Sequence, residues 1–316
     1  MSKITVIGAG SVGATVANDL MIQGIASEIV LIDINKQKAF GEALDIYQGA
    51  PFCSPAIVRS GDYEDAKDSN IVVITSGMPR KAGQSRLDLA QANVDILKDI
   101  TKNIVPAAPD AIYIIVSNPV DVLTYVFCKI SGLPERQIMG SGTILDTSRL
   151  QSALAKRFRI SPKNVHAHVY GEHGDSSFVP WSLVHIANNH VNVYRESSPD
   201  HDRIKWDNER EYAGIEEFVR TSGAQVIKAK GATFYAVAMS VCHLCKCCLN
   251  TAGTALTVST MRHGDYGVSD VCLSTLALVD RDGVRGKILN KLTDEEVTKL
   301  QLSGEKLKEV IRQVNF

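Results

Sequence analysis

The first half of the chain alternates short, almost wholly apolar runs with longer stretches whose apolar positions recur at helical spacing. The runs at 3–8, 28–33, 57–61, 70–76, 111–117 and 137–140 are strand-length and rich in Val and Ile. The stretches 12–23, 36–48, 87–105 and 120–131 read as amphipathic helices. In the third of these, Leu87, Ala90, Val94, Leu97 and Ile104 fall near one face. Apolar strands separated by helices predict a parallel sheet covered on both sides.

Beyond about residue 150 the rhythm changes. A strand-like run at 164–170 precedes a polar, charged stretch at 194–210, then helical patterns at 208–228 and 233–249. Two β-rich runs follow, at 254–261 and 271–278. The chain then ends in a helix announced by Thr293 as N-cap and Glu296 three residues on. This half reads as α+β. Repeats, low-complexity tracts and a flexible linker are all missing, so two tightly packed domains are expected, 1–145 and 146–316.

Composition narrows the function. With 316 residues, 45% hydrophobic, the chain can bury a full core; a net charge of −1 without a basic run points away from nucleic acid and membrane surfaces. The apolar runs 71–74 and 111–116 are far too short to span a bilayer. The start passes directly into Ile4-Thr5-Val6-Ile7 without a basic region or cleavage site, so a cytoplasmic location is expected. Seven cysteines at irregular spacing suit free thiols in a reducing compartment. Cys242, Cys245, Cys247 and Cys248 lie in an apolar helical run, where packing is expected rather than metal binding.

Gly8-Ala9-Gly10-Ser11-Val12-Gly13 follows the first strand and opens the first helix. Glycines at these positions permit a tight turn, close approach of a pyrophosphate, and contact between helix and strand. The helix N-terminus adds free N–H groups and partial positive charge. Asp33 ends the next strand, 20 residues after Gly13, where a carboxylate accepts ribose hydroxyls. A carboxylate there repels a 2′-phosphate and no arginine follows nearby, so NAD is expected rather than NADP. The first half is therefore expected to be a Rossmann doubly wound sheet of an α/β protein, followed by an α+β catalytic domain.

Gly171-Glu172-His173-Gly174-Asp175 places an imidazole between glycines just after a β-rich run. Oxidising a carbinol requires a base for the hydroxyl proton, and imidazole titrates in the right range. Asp146 and Arg149 share one face at the start of a helix: the carboxylate could orient a histidine, the guanidinium grip a carboxylate. With SNPVD (117–121), GTILDTSR (142–149), GEHGDS (171–176) and KGATFYA (230–236), the chain resembles the lactate/malate dehydrogenase family over nearly its whole length.

The resemblance implies roles. His173 is the expected proton donor and acceptor, Asp146 its partner, and Arg149 the site of the substrate C1 carboxylate. Asn118 is expected to bond the substrate oxygen and help seat the nicotinamide. Arg86 would sit on a closing loop and polarise the carbonyl. Val12, Lys38, Tyr63 and Gly77 match positions that line the dinucleotide in relatives. The family also implies a homo-oligomer, a dimer or tetramer.

Six residues before the loop arginine, lactate enzymes usually carry glutamine and malate enzymes arginine; here the residue is Arg80, with Lys81 as a neighbouring cation. A dicarboxylate would match both Arg149 and Arg80, whereas pyruvate would leave Arg80 unpaired, at a cost of about 3–5 kcal/mol if it is buried. Malate is therefore expected as substrate, with lactate as the alternative. Thr233 and Leu87-Asp88-Leu89 are lactate-like and pull the other way. Activation by fructose 1,6-bisphosphate uses an Arg/His pair in some relatives. His166 matches the histidine, but Gln151 stands at the arginine position, so activation is expected to be weak or absent. A metal-dependent NAD glycosidase is disfavoured because Ser117, not cysteine, precedes Asn118-Pro119. A non-catalytic NAD-binding protein is disfavoured because His173, Asp146, Arg149 and Arg86 are all present.

Overall fold

The apolar runs pair as parallel strands, as their continuous hydrophobicity requires. The computed structural model describes residues 2–78, 86–199 and 206–316. In chain order the first half comprises β1 (Lys3–Ile7), α1 (Ser11–Ile22), β2 (Glu28–Ile32), α2 (Lys36–Gln48), β3 (Ile57–Ser60) and β4 (Ile71–Ile74). It continues through α3 (Arg86–Ala107), β5 (Ile112–Ile115), α4 (Val120–Ile130) and β6 (Ile138–Gly140). Their spatial order is β3-β2-β1-β4-β5-β6, all parallel, so the strand order reverses between β1 and β4. A ligand crevice opens beyond the strand ends at such a reversal.

The second half supplies α5 (Ile144–Phe158), β7 (Val165–His166), β8 (His185–Ile186), β9 (Asn189–His190), α6 (Val191–Ser197), α7 (Asn208–Lys230) and α8 (Tyr235–Cys248). It ends with β10 (Thr254–His263), β11 (Ser269–Asp280), β12 (Gly283–Lys287) and α9 (Asp294–Ile311). β10 pairs antiparallel with β6 through Ser259 and Gly140, and β11 and β12 continue the same sheet. The short strands β7, β8 and β9 form a separate antiparallel sheet.

Alternate residues of the parallel strands feed two apolar layers. Ile4, Val6, Ile29, Leu31, Ile71 and Val73 pack with Val16 and Leu20 of α1 and Val241 of α8. Val30, Val72, Ile74, Tyr113 and Ile115 pack with Val94 and Leu97 of α3, Phe127 of α4 and Leu300 of α9. Cys242, Cys245 and Cys248 belong to the first layer, and burial pushes the Cys242 thiol up to about 12. A third layer joins Leu150, Leu154 and Phe158 of α5 to Ile186 and to Ile215 and Val219 of α7. The Thr293/Glu296 capping box forms with both reciprocal bonds. Among the described residues no helix is long and apolar enough to cross a membrane.

The run expected as a strand at 164–170 is divided. Only Val165–His166 is laddered; Tyr170 makes an isolated bridge to Phe178 and Gly171 one to Ser274. The chain turns away at Gly171, whose φ of +92° suits glycine, and this lifts the next residues off the sheet.

Close packing of α1 on β1 depends on Gly13: a Cβ there would collide with the Gly8 carbonyl oxygen. Overpacking of this kind costs about 1–3 kcal/mol. Gly13→Ala is expected to lower the melting midpoint by about 5 °C and to weaken NADH binding in a fluorescence titration. An unchanged midpoint would show that the helix has room to retreat.

Candidate active site

At the reversal between β1 and β4 lies a cleft of about 990 Å³. Gly8, Gly10, Asp33, Lys38, Tyr63 and Gly77 are all among its walls. Gly8 turns the chain with φ +103°, and among the described residues no heavy atom lies within 4 Å of where a Gly10 Cβ would sit. The backbone is therefore bare on the side a diphosphate would approach. No described side chain caps α1, so its first N–H groups remain for an anion. Asp33 is locked at the strand end: its Oδ2 accepts the Ala9 N–H at 2.7 Å and its Oδ1 the Asn35 N–H at 2.8 Å. Each oxygen keeps a lone pair for a ribose hydroxyl. These residues fit a dinucleotide.

A cluster of charges is assembled from distant segments; its members are not themselves cleft walls, but they are joined to the wall residue Met78 through Asn93, the Asn118 turn and Asp121. Asp146, in the first turn of α5, is 5% exposed. Its Oδ2 lies 2.6 Å from Nδ1 of His173, and its Oδ1 accepts Nη1 of Arg149 at 2.8 Å. The backbone N–H of His173 donates to Oδ2 of Asp121 at 2.8 Å, and Oδ1 of Asp121 accepts the Ser259 hydroxyl at 2.5 Å. The His173 side chain is 26% exposed, so with Nδ1 tied to Asp146 the ring's other nitrogen is left for a reacting group.

The negative charge of Asp146 pushes the imidazole up to about 9 against the desolvation that opposes it. Burial works against the Asp146 carboxylate, but His173 and then Arg149 outweigh it and hold the carboxyl below its ordinary range. Asp121 is pushed up to about 6 by burial, against the opposing bonds from Ser259 and the His173 N–H. A dinucleotide cleft beside an acid-held imidazole and a guanidinium suits hydride transfer at a carbon bearing a carboxylate.

Comparison with known proteins decides the family. Residues 2–140 match the family model for the lactate/malate dehydrogenase NAD-binding domain, and 143–315 that for the lactate/malate dehydrogenase α/β C-terminal domain. The chain belongs to the lactate/malate dehydrogenase family. It is 44% identical to L-lactate dehydrogenase 1 of Clostridium acetobutylicum over 308 residues, covering 98% of this chain and 97% of that protein. The L-lactate dehydrogenase of Clostridium botulinum strain Loch Maree is also 44% identical, over 98% of this chain and 96% of its own length. Among solved structures, a lactate dehydrogenase from a Medee basin deep-sea metagenome library superposes with a TM-score of 0.94. It is 35% identical and the match covers 99% and 98% of the two chains. The L-lactate dehydrogenase of Clostridium thermocellum superposes at 0.88, with 38% identity and full coverage of both chains. The protein is an oxidoreductase and its cofactor is NAD(H).

Within this member of the lactate/malate dehydrogenase family, His173, Asp146 and Arg149 come together as the motifs suggest. One nitrogen of Arg149 is already engaged by Asp146, which the sequence alone does not show. Asn118 is exposed beside the cleft, at a cis Asn118-Pro119 bond. Val12 and Gly13 are not among the cleft walls: Val12 packs on the first apolar layer and Gly13 against Gly8. Thr233 is half-buried in the segment joining α7 to α8. His166 is exposed on β7, and Gln151 donates to the Ala167 carbonyl oxygen at 3.2 Å. Arg80 and Lys81 lie outside the described residues, as does the side chain of Arg86, whose backbone begins α3.

Two site residues escape a reading of the sequence. Asn93 is 2% exposed; its Oδ1 accepts the Met78 N–H at 2.7 Å and its Nδ2 donates to the Asn118 carbonyl oxygen at 2.7 Å. It thereby ties the segment ahead of Arg80 to the Asn118 turn. Asp121 is the other. The available signal is a polar residue inside an apolar helical stripe, for Asn93 beside Val94 and Leu97 and for Asp121 within Val120-Asp121-Val122-Leu123.

The raised imidazole gives a stability signature. Its folded value of about 9 lies above the ordinary 6.5, so the pairing contributes fully below about 6.5 and is lost as pH rises through about 9. Urea unfolding of the wild type is expected to show stability falling between pH 7 and 9.5. In Asp146→Asn most of that slope is expected to vanish, and an equal slope in both proteins would place its origin elsewhere.

Proposed function

We propose that this protein is an L-lactate dehydrogenase, interconverting pyruvate and L-lactate with NAD(H). The observation that carries the hydroxy-acid reading is the His173–Asp146–Arg149 cluster beside the dinucleotide cleft. Lactate is put ahead of malate, the substrate expected from Arg80, because the full-length relatives cited above bear the lactate name. Thr233 and Leu87-Asp88-Leu89 point the same way. A cytoplasmic homo-oligomer, with residues 1–145 serving the cofactor and 146–316 the substrate, completes the proposal.

NADH, when bound, supplies the hydride that reaches C2 of the oxo acid. Arg149 anchors the C1 carboxylate with the part of its fork not held by Asp146. Asn118 holds the substrate oxygen in line with His173, and Arg86 steadies the charge that grows on it. Protonated His173 delivers its Nε2 proton to that oxygen, while Asp146 keeps Nδ1–H in place and so fixes the ring's orientation. In the reverse direction the neutral imidazole takes the hydroxyl proton.

Arg80 favours a second reading, oxaloacetate to malate, since a guanidinium in a closing site would pair with a C4 carboxylate. The test is kcat/KM for pyruvate and for oxaloacetate in the wild type and in Arg80→Gln. The wild type is expected to prefer pyruvate, and Arg80→Gln to keep that preference while losing tenfold or more of any activity on oxaloacetate. A wild type that prefers oxaloacetate, with the preference reversed by Arg80→Gln, would establish the second reading. Fructose 1,6-bisphosphate is expected to leave the KM for pyruvate within twofold; a larger fall would mean that His166 suffices without an arginine at 151.

A further inference from the structure

Asp121 is 2% exposed and has both oxygens engaged, one by the His173 backbone and one by Ser259. A carboxylate taken out of water is costly unless its partners compensate. An amide or hydroxyl could hold the same backbone N–H without carrying charge, so the position of this charge calls for its own account. Asp121 lies three residues after Asn118, in the first turn of α4. The turn that presents Asn118 to the cleft therefore also grips the loop bearing the imidazole. Asp146 fixes the ring of His173 at Nδ1 and Asp121 fixes its main chain.

Among the described residues, the carboxylates nearest the imidazole outnumber the cations unless the ring is protonated. Among the described residues His173 faces Asp146 and Arg149 from α5 and Asp121 from α4; β10 contributes the neutral Ser259. Glu172, on the same loop, accepts the Ser176 hydroxyl, and its backbone N–H donates to Ser303. Two carboxylates match Arg149 and a protonated His173. Once the proton has left, the group carries one uncompensated negative charge.

We propose that Asp121 is a positioning residue for the reaction: it fixes the His173 backbone and supplies a second counter-charge that holds the imidazole protonated until the proton is delivered. This rests on His173 being the proton donor of the proposed reaction. A residue that only tied α4 to the loop would serve equally well uncharged, and that difference is measurable.

Asp121→Asn keeps an acceptor for the His173 N–H and a partner for Ser259, and removes only the charge. The His173 ring, followed by NMR in the free wild-type protein and in Asp121→Asn, is expected to titrate about one pH unit lower in the variant. The alkaline limb of kcat/KM for pyruvate reduction is expected to move down by the same amount, with the NADH dissociation constant unchanged. An unmoved titration and limb in folded Asp121→Asn would overturn the proposal. If that variant does not fold, Asp121→Ser, which also offers the His173 N–H an uncharged acceptor, decides: the alkaline limb is expected to move down in the same way, and an unmoved alkaline limb overturns the proposal. The outcomes separate cleanly: a wild type that reduces no 2-oxo acid defeats the functional reading, while the NMR titration still reports on Asp121.

Discussion

A buried carboxylate is tolerable only when cations reach it, and Asp146 shows what that demands of a fold. Its two oxygens are divided between His173, which arrives from a loop 27 residues later, and Arg149, one helical turn along α5. Losing either partner would leave a charge in a site with little water, which is why both must be held accurately. The cost of burying Asp146 is offset by raising the proton affinity of the imidazole. The same pair thus offsets the buried charge and favours a protonated His173 at neutral pH.

That accuracy comes from a frame of buried hydroxyl groups within the second half. Thr143 donates from its hydroxyl to the Val169 carbonyl oxygen, and its N–H bonds Ser274 Oγ at 3.2 Å. Thr147 bonds Thr257 at 3.0 Å and accepts the Val169 N–H at 2.9 Å. These short side chains have few rotamers, so each bond fixes backbone against backbone at small entropic cost. They tie α5, the chain before His173 and the β10–β11 pair into one unit. Because β10 pairs with β6, that unit is continuous with the sheet that carries the cofactor cleft.

Substrate choice is a different kind of problem. In the proposed reaction Arg149 would anchor the carboxylate common to all 2-oxo acids, and discrimination would fall to groups near the far end of the substrate, with Arg80 and Thr233 as the candidates. A charge mismatch can outweigh a methyl contact, which is worth about 1–3 kcal/mol, but only if the charge is confined when the site closes. A chain with a lactate-like framework and a malate-like arginine keeps those two contributions in opposition.

The sequence by itself determined the periodic elements, the doubly wound sheet and the Gly8–Gly13 turn with Asp33, and it put His173, Asp146 and Arg149 forward as candidates. These are local signals: hydrophobic period, glycine at a turn, a carboxylate at a strand end. Tertiary structure alone decided that Arg149 shares Asp146 with His173, that Asn93 joins Met78 to Asn118, and that Asp121 holds the His173 backbone. It also broke the run at 164–170 into one short strand and one isolated bridge at Tyr170. The reason is physical: a hydrogen bond between residues 25 or 52 positions apart leaves no period in the chain, and becomes visible only when folding brings donor and acceptor within reach.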